Sequence, residues 1–268
     1  MKMNDGNEIP IVGLGVYRSG VGNETVAAVK SAIELGYKHI DTARFYGNEE
    51  DCVSGIKAAG VDRDEIFVTT KLRPQDFTDA KHAIAESAER LGGSIDLLLL
   101  HCPSNDRAAR FKAWQEMERA VAEGVVKSIG VSNFGVAHME GLEKVAKIQP
   151  CLNQLELHPW LQQRAIVEHC EAKGIVVEAY SPLAKAQKMD DPVLIEISRR
   201  LQVEPAQVLI RWSLDKKFVT LPKSVTADRQ RANKDVFGFE LSADDIARLD
   251  RLECNFATGW TPQVDHAV

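Results

Sequence analysis

The sequence lacks any apolar run long enough to cross a membrane. A spanning helix needs about 20 apolar residues, whereas the strongest run, from Ile95 to Leu100, already contains Asp96. The first residues also lack the apolar segment of a secretory signal. Cysteines are few, five in 268 residues, and no two form a Cys-x-x-Cys pair. We therefore expect neither a disulfide framework nor a metal site, and reduced thiols in a cytoplasmic protein.

An excess of positive charge is also missing. The chain has 33 Lys and Arg against 39 Asp and Glu, for a net charge of −6. This balance excludes nucleic acid and anionic membranes as the main partner. Linkers, low-complexity segments and shifts in composition are absent as well, so we expect one domain over residues 1–268. That length is close to the roughly 250 residues of a single α/β barrel.

Short apolar or β-branched runs recur along the chain and are typical of strands buried on both faces. Their starts lie 24 to 31 residues apart, except for a last gap of 44. The eight runs are Ile11–Tyr17, Lys38–Thr42, Ile66–Leu72, Ile95–His101, Val126–Ser132, Cys151–Leu157, Ile175–Ser181 and Val219–Ser224.

Segments with helical periodicity separate these runs. They are Thr25–Leu35, Asp79–Leu91, Phe111–Val121, Val136–Ala146 and Ile166–Ala172. The last gap holds two further helices, Pro192–Leu201 and Pro205–Lys216, and Ser242–Leu252 forms another after the last strand. Several helices stop before a glycine at which a left-handed C-cap is expected: Gly36, Gly92, Gly124 and Gly174.

This alternation predicts an α/β fold, a (β/α)₈ TIM barrel with extra helices near the C-terminus. The turn sequence Asn4-Asp5-Gly6-Asn7 predicts an N-terminal β-hairpin that closes the bottom of the barrel. The alternative is an open doubly wound sheet. It is disfavoured because the segment 13–18 (GLGVYR) lacks the third glycine of a dinucleotide-binding turn and opens no helix.

Polar residues occupy the ends of three neighbouring predicted strands, where a barrel of this kind has its active site. Asp41 ends the second strand, Lys71 lies near the end of the third, and His101 ends the fourth. Tyr46 follows closely in a loop. Taken singly, these could be a helix cap, a surface lysine, a core histidine and a loop aromatic. Their joint position at adjacent strand ends favours a catalytic site.

Four segments of the sequence resemble the aldo-keto reductase family, in the same order and over nearly the whole chain. They are 36–49 (GYKHIDTARFYGNE), 129–134 (IGVSNF), 154–159 (QLELHP) and 221–224 (LPKS). The resemblance implies a catalytic tetrad of Asp41, Tyr46, Lys71 and His101, in an enzyme that reduces aldehydes or ketones with NADPH. It also implies a monomer.

General physical chemistry agrees with these roles. A carbonyl that accepts hydride becomes an alkoxide and needs a proton donor at that moment, for which Tyr46 is suited. A free tyrosine has a pKa of about 10, and a nearby ammonium, that of Lys71, is expected to lower it. Asp41 would hold Lys71 charged and oriented. Neutral His101 would donate a hydrogen bond to the substrate carbonyl.

The same resemblance implies which residues contact the cofactor, since the family binds it without a Rossmann motif. Ser132, Asn133 and Gln154 would bind the carboxamide, Tyr180 would stack on the nicotinamide, and Ser181, Pro182 and Leu183 would follow the pyrophosphate. Two cations and a hydroxyl, from Lys223, Ser224 and Arg229, suit a 2′-phosphate and favour NADPH over NADH. Asn233 matches an adenine contact, although Ala232 stands where the family usually has glutamate.

The substrate pocket is less clearly marked in the sequence. Tyr17, Phe45 and Trp160 are expected to line it, and the tail after Leu252 could place Trp260 over it. Arg73 and Cys102 stand where the family usually has tryptophan, so we expect a wider and more polar pocket with broad specificity. Arg73 would favour an anionic carbonyl substrate, or else is a surface residue or a contact at the edge of the cofactor.

Other functions remain to be weighed. The same fold could serve as a non-catalytic NADPH-binding regulatory module or as a purely structural barrel, and the intact tetrad disfavours the former. A metal-dependent hydrolase would need paired His and Asp ligands at several strand ends, where we find a single histidine. A thiol nucleophile at Cys102 is disfavoured because Tyr46 already accounts for the proton chemistry.

Overall fold

A parallel sheet of eight strands forms the centre of the computed structural model, which describes residues 1–259. The strands pair in chain order, each with the next. They are β1 (Leu14–Gly15), β2 (His39–Asp41), β3 (Phe67–Leu72), β4 (Ile95–Leu100), β5 (Val126–Ser132), β6 (Leu152–Glu156), β7 (Val176–Tyr180) and β8 (Val219–Leu221).

The sheet closes on itself between the segment that enters β1 and the last strand. Val12 forms a parallel bridge with Thr220, and Gly13 N donates to Thr220 O at 3.0 Å. Gly15 N continues the ladder by donating to Pro222 O at 3.2 Å. This closure confirms the (β/α)₈ barrel, and the alternative of an open doubly wound sheet is wrong.

Helices follow the strands around the outside of the barrel. They are α1 (Asn23–Glu34), α2 (Glu49–Ala58), α3 (Ala80–Arg90), α4 (Arg107–Ala122), α5 (Val136–Glu143), α6 (Arg164–Ala172), α7 (Pro192–Leu201), α8 (Pro205–Asp215), α9 (Ala227–Lys234) and α10 (Ala243–Asp250). In the described part of the chain, residues 1–259, no helix has the length and apolar character needed to cross a membrane.

Helices α2 and α9 are the helices that the periodicity did not predict, and α2 shows why. Its apolar stripe is short, and Gly55 lowers its intrinsic helix propensity by roughly 1 kcal/mol relative to alanine. The structure shows why a glycine stands there. A Cβ built on Gly55 would lie 2.6 Å from the Cβ of Val29 in α1. Tertiary packing between α1 and α2 therefore stabilises a helix that its own sequence signals weakly.

The extra helices near the C-terminus begin and end where local chemistry predicts. Pro192 opens α7, and the Asp191 side chain accepts hydrogen bonds from Val193 N and Leu194 N. Ser242 caps α10 by accepting from Asp245 N at 3.1 Å. The four predicted C-cap glycines all adopt left-handed backbone angles, with φ between 67° and 90°.

The N-terminal hairpin covers the lower mouth of the barrel, as the turn sequence predicts. Lys2 and Glu8 form an antiparallel bridge. Met3 and Ile9 are buried against the barrel interior. They contact a cluster formed by Leu97, Leu99, Cys151, Leu152, Val176 and Val219. The lower interior is therefore packed mainly with apolar side chains, and the polar residues that end the strands gather at the upper end.

Candidate active site

The strand ends bring the four predicted catalytic residues to one side of the barrel mouth. Asp41 is the last residue of β2, Lys71 lies next to the end of β3, and His101 directly follows β4. Tyr46 ends a short 3₁₀ turn, Arg44–Tyr46, after β2. Since neighbouring parallel strands finish at the same end of the barrel, three consecutive strands place their last polar residues together.

Lys71 forms the buried centre of this group. Its Nζ donates to both carboxylate oxygens of Asp41, at 2.8 Å and 2.7 Å, and to the backbone oxygen of Thr42 at 2.9 Å. The phenol oxygen of Tyr46 lies farther from Lys71 Nζ than these three oxygens do, at 3.4 Å. The Lys71 side chain is completely buried. An ammonium has three hydrogens, so the closest three oxygens already account for all of them.

Tyr46 is a weaker acid in this structure than the sequence led us to expect. Burial raises the pKa of its phenol well above the usual value, and the nearby carboxylate of Asp41 adds to the effect. These effects outweigh the lowering expected from Lys71, whose ammonium also pairs with the Asp41 carboxylate at 2.7 Å. Tyr46 therefore stays protonated across the physiological range, which preserves its ability to donate a proton.

His101 is neutral, as predicted. Burial and the positive charge of Lys71 lower the pKa of its imidazole to about 3. Its ring lies 5.8 Å from the Tyr46 ring, centroid to centroid, in an edge-on arrangement. The Asn133 side chain donates to the His101 backbone oxygen at 3.0 Å and so fixes the segment that carries the imidazole.

A cleft of about 1240 Å³ opens above these residues and extends along the strand ends. It is large enough for an extended cofactor together with a small substrate, since drug-sized pockets have volumes of about 300–1,000 Å³. Asp41, Tyr46 and His101 line it, whereas Lys71 lies beneath its floor. All eleven predicted cofactor residues also line it: Ser132, Asn133, Gln154, Tyr180, Ser181, Pro182, Leu183, Lys223, Ser224, Arg229 and Asn233.

The inner end of the cleft offers hydrogen-bond acceptors suited to a carboxamide. Asn133 uses its amide hydrogens on His101 O and Ser132 Oγ, and its Oδ1 accepts from Tyr180 at 2.9 Å. The NH₂ of Gln154 is likewise engaged by two carboxylates. Oxygen lone pairs of Ser132, Asn133 and Gln154 remain available toward the cleft. This set of acceptors fits the NH₂ group of a nicotinamide carboxamide.

The outer end of the cleft carries unpaired positive charge. Lys223 and Arg229 are exposed, and neither forms an ion pair with any residue of the described range 1–259. Ser224 is buried between them, and its Oγ accepts from Thr226 N at the start of α9. Two free cations beside a hydroxyl fit a phosphate dianion.

Four of the six predicted pocket residues line the mouth near Tyr46: Tyr17, Phe45, Arg73 and Cys102. Tyr17 packs against Tyr46 with ring centroids 4.9 Å apart, and Phe45 is 62% exposed. Burial raises the pKa of the Cys102 thiol to about 11. That thiol is therefore protonated at neutral pH, which further disfavours a nucleophilic role.

The structure describes one of the two tryptophans that were predicted to line the pocket. Trp160 does not line the cleft, contrary to expectation, and is only 3% exposed. Trp160 lies in the tight turn closed by the bridge between His158 and Leu161. Its backbone oxygen accepts from Phe256 N at 2.9 Å, which places it beside the C-terminal segment. Its indole donates to Asp191 at 3.3 Å. Trp260 lies outside the described residues.

Arg73 lines the cleft, and the neighbouring carboxylate of Asp76 neutralises much of its charge. Asp76 accepts from its Nε at 3.0 Å and its Nη2 at 2.7 Å. The same carboxylate lies 3.2 Å from the Nε of Arg44, and Glu86 pairs with Arg44 in turn. The sequence did not indicate this network, because Arg44 and Glu86 approach Asp76 only in the folded barrel.

Two carboxylates of the site were missed by the sequence analysis. Glu156 ends β6, lines the cleft, and accepts from Thr258 N at 2.8 Å, so it holds the C-terminal segment nearby. Glu178 is fully buried in β7. A charged residue within the apolar run 175–181 was the signal that could have identified it. Among residues 1–259, no group of three or more His, Cys, Asp or Glu side chains is arranged to hold a metal ion.

Comparison with known proteins identifies the family of the chain. A model of the aldo/keto reductase family matches residues 12–253. The chain is 41% identical to the glyoxal reductase of Bacillus subtilis (strain 168), over 98% of this chain and 95% of that protein. It is 38% identical to the methylglyoxal reductase DkgA of Yersinia pestis, over 98% and 96%.

A solved structure shows the same fold. The aldo-keto reductase of Bombyx mori in complex with NADP superposes with a TM-score of 0.88 at 34% identity, covering 96% of this chain and 94% of that chain. The family model, the reductase relatives and this structural match agree over nearly the full length described here. The chain therefore belongs to the aldo/keto reductase family of oxidoreductases.

Proposed function

We propose that the protein reduces aldehydes and ketones to alcohols with NADPH, and that Tyr46 donates the proton. The observation that carries this proposal is the convergence of Tyr46, Lys71, Asp41 and His101 at one end of a cleft whose other end is cationic. A reduced nicotinamide held by the cleft residues would supply the hydride for the carbonyl carbon. The residues of the chain bind, orient and protonate the substrate.

His101 orients the substrate in this proposal. A neutral imidazole can donate one N–H to the carbonyl oxygen, and the low pKa of His101 keeps it neutral at every physiological pH. An imidazolium at this position would repel Lys71 and would compete with Tyr46 as the acid. The hydrogen bond also offsets the negative charge that develops on the oxygen in the transition state.

Tyr46 then transfers its proton to the developing alkoxide. An alkoxide is about as basic as hydroxide, and a phenol is a stronger acid than the alcohol that forms. The developing alkoxide therefore takes the proton from Tyr46. Lys71 lies 3.4 Å from the phenol oxygen and stabilises the phenolate left behind, while Asp41 holds the ammonium in place.

A preference for NADPH over NADH is supported by the cationic end of the cleft. A 2′-phosphate carries close to two negative charges, and neither Lys223 nor Arg229 forms an ion pair with a carboxylate in the described structure. The NADP-bound structure of the Bombyx mori relative is consistent with a nicotinamide cofactor of this kind. NADH would leave both cations without an anionic partner.

Small polar carbonyl compounds are the proposed substrates, with broad specificity. Cys102 and Arg73 replace bulky aromatics at the mouth, so the pocket is open and polar. Relatives named glyoxal reductase and methylglyoxal reductase support this substrate class. An anionic carbonyl is favoured only weakly by Arg73, because Asp76 already neutralises part of its charge.

A substrate panel tests the proposal. The purified chain is assayed for loss of reduced-nicotinamide absorbance with glyoxal, methylglyoxal, nitrobenzaldehyde and an aldehyde that bears a carboxylate, with NADPH and NADH in parallel. We expect carbonyl-dependent oxidation of NADPH and a much higher KM for NADH. Tight NADPH binding without turnover on any carbonyl would instead indicate a regulatory module.

Arg73 is tested within the same panel. We expect Arg73→Ala to reduce kcat/KM for the carboxylate-bearing aldehyde by about threefold, because Asp76 leaves only part of the guanidinium charge for the substrate. Methylglyoxal, which is uncharged, is the control and should be affected less. An equal effect on both substrates would remove Arg73 from any role in anion preference.

A further inference from the structure

A fully buried carboxylate lies beneath the cleft and outside the four catalytic residues. Glu178 is the middle residue of β7, and its side chain is completely inaccessible to solvent. The register of the barrel pairs it directly with Gln154 on β6. A buried carboxylate is costly unless its oxygens are hydrogen-bonded, so a carboxylate retained at this position needs an explanation.

Gln154 connects this carboxylate to the catalytic group. Its Nε2 donates to Glu178 Oε2 at 2.7 Å and to Asp41 Oδ2 at 2.8 Å. The same carboxylate of Asp41 binds Lys71 Nζ at 2.7 Å. A continuous hydrogen-bonded chain thus runs from Glu178 through Gln154 and Asp41 to Lys71, and then to the phenol of Tyr46.

This geometry determines which way the Gln154 amide faces. An amide nitrogen has two hydrogens, and the two carboxylates accept both. If the amide were rotated by half a turn, its oxygen would face the carboxylate of Asp41, which pairs with Lys71, at 2.8 Å with no hydrogen between them. The carboxamide oxygen of Gln154 must therefore point away from the carboxylates, and Gln154 itself lines the cleft.

We propose that Glu178 is a positioning residue, which holds the Gln154 amide so that its oxygen is presented to the nicotinamide carboxamide. This inference rests on the proposed function, since it assumes that a nicotinamide binds in the cleft. Asp41 alone would engage a single hydrogen of the amide and leave the group free to tilt about that bond. Glu178 supplies the second fixed point and so defines the plane of the amide.

The surroundings of Glu178 show how the barrel tolerates a second carboxylate. The charges of Asp41 and Lys71 act on the Glu178 carboxyl. His39 Nε2 lies 3.9 Å from Glu178 Oε1, and Glu178 in turn acts on the phenol of Tyr46. Burial, together with the charge of Asp41, raises the pKa of Glu178 to about 8. Glu178 is therefore mostly neutral at pH 7, and a neutral carboxyl still accepts from Gln154 through its carbonyl oxygen.

Cofactor affinity, measured apart from turnover, tests this role. The Kd of NADPH is determined by quenching of intrinsic fluorescence for the wild type, Glu178→Ala and Glu178→Gln. We expect Glu178→Ala to weaken binding about tenfold, as loss of a defined hydrogen bond at a binding group predicts. Glu178→Gln retains an acceptor oxygen and should restore the Kd to within about threefold of wild type.

A matched control separates positioning from general loosening of the barrel. Val176 lies two residues earlier on β7, belongs to the lower apolar cluster and pairs with Leu152 rather than with Gln154. Val176→Ala should lower stability but leave the Kd of NADPH unchanged. In a Gln154→Ala background, Glu178→Ala should have no further effect on the Kd, because the amide that it positions is gone.

Two results would overturn the inference. Glu178→Ala could bind NADPH as tightly as the wild type while folded, or it could weaken binding equally with and without Gln154. If Glu178→Ala fails to fold, the comparison of Glu178→Gln with Glu178→Leu gives the same contrast between a retained and a lost acceptor. A wild-type chain that does not bind NADPH at all would contradict the proposed function instead, and the two failures are thus distinguishable.

Discussion

Replacing Tyr46 with phenylalanine removes one hydroxyl and should separate catalysis from stability. A positioned general acid contributes about a hundredfold to ten-thousandfold to a rate. We therefore expect kcat for methylglyoxal reduction to fall by about a thousandfold, which corresponds to roughly 4 kcal/mol of transition-state stabilisation. The Kd of NADPH should stay within about twofold of wild type, because the phenol oxygen contacts Lys71 and no proposed cofactor ligand.

The stability of the Tyr46→Phe variant follows from the contacts of Lys71. The three ammonium hydrogens are taken up by the two Asp41 oxygens and by Thr42 O, all within 2.9 Å. The phenol oxygen is farther away, at 3.4 Å, so its removal leaves no buried donor unsatisfied. The free energy of unfolding in urea should therefore change by less than about 1 kcal/mol.

Tyr37→Phe is the matched control for this experiment. The Tyr37 hydroxyl is buried and donates to Gln230 O at 2.8 Å, and neither residue lines the cleft. Its loss should cost about 1 kcal/mol of stability and leave kcat unchanged. The reasoning would be refuted if Tyr46→Phe kept more than about a tenth of wild-type kcat, or if it unfolded as readily as a variant that breaks the ion pair.

Three further predictions concern charge. Lys71→Met should destabilise the chain by about 3–5 kcal/mol in urea unfolding at pH 7, because it leaves the Asp41 carboxylate buried and unpaired. The double variant that also carries Asp41→Asn should recover much of this loss. Arg229→Ala should raise the KM for NADPH at least tenfold and leave that for NADH unchanged, since a lost charge-assisted hydrogen bond costs about 1.5–3 kcal/mol; equal changes for both cofactors would contradict a phosphate contact. Burial lowers the pKa of His101 to about 3 and that of His39 to about 4, and raises that of Glu178 to about 8. Below about pH 6 the unfolded chain gains a proton at each histidine, which outweighs the one proton that the folded chain holds on Glu178. Stability should therefore fall as the pH is lowered from about 6 toward 4.5. Urea unfolding across that range measures the effect, and a stability that rises on acidification would contradict it.

The barrel could be predicted from the sequence because each strand is a local apolar run and each helix carries its own periodicity and caps. Three of the four tetrad residues could be placed for the same reason, since the end of a strand such as Ile95–Leu100 is visible in the sequence. The turn after β2 carries Tyr46, and the family resemblance supplied its role. Local pattern and barrel topology together therefore located the site.

The features that the sequence did not give depend on contacts across the barrel. Helix α2 is stabilised by the approach of Gly55 to Val29, which only the folded packing shows. Trp160 is turned away from the cleft by the bridge between His158 and Leu161. The pKa of Tyr46 is set by burial, and a sequence pattern contains no measure of desolvation. Glu178 acquires its meaning only from its register with Gln154.

The most direct test of the central claim is isotope transfer. NADPH deuterated at the position that donates hydride is incubated with methylglyoxal and the purified chain, and the alcohol product is analysed by mass spectrometry. The proposed chemistry predicts one deuterium per product molecule, bonded to the former carbonyl carbon, and almost no product with Tyr46→Phe. Oxidation of NADPH that leaves the alcohol without deuterium would contradict direct hydride transfer.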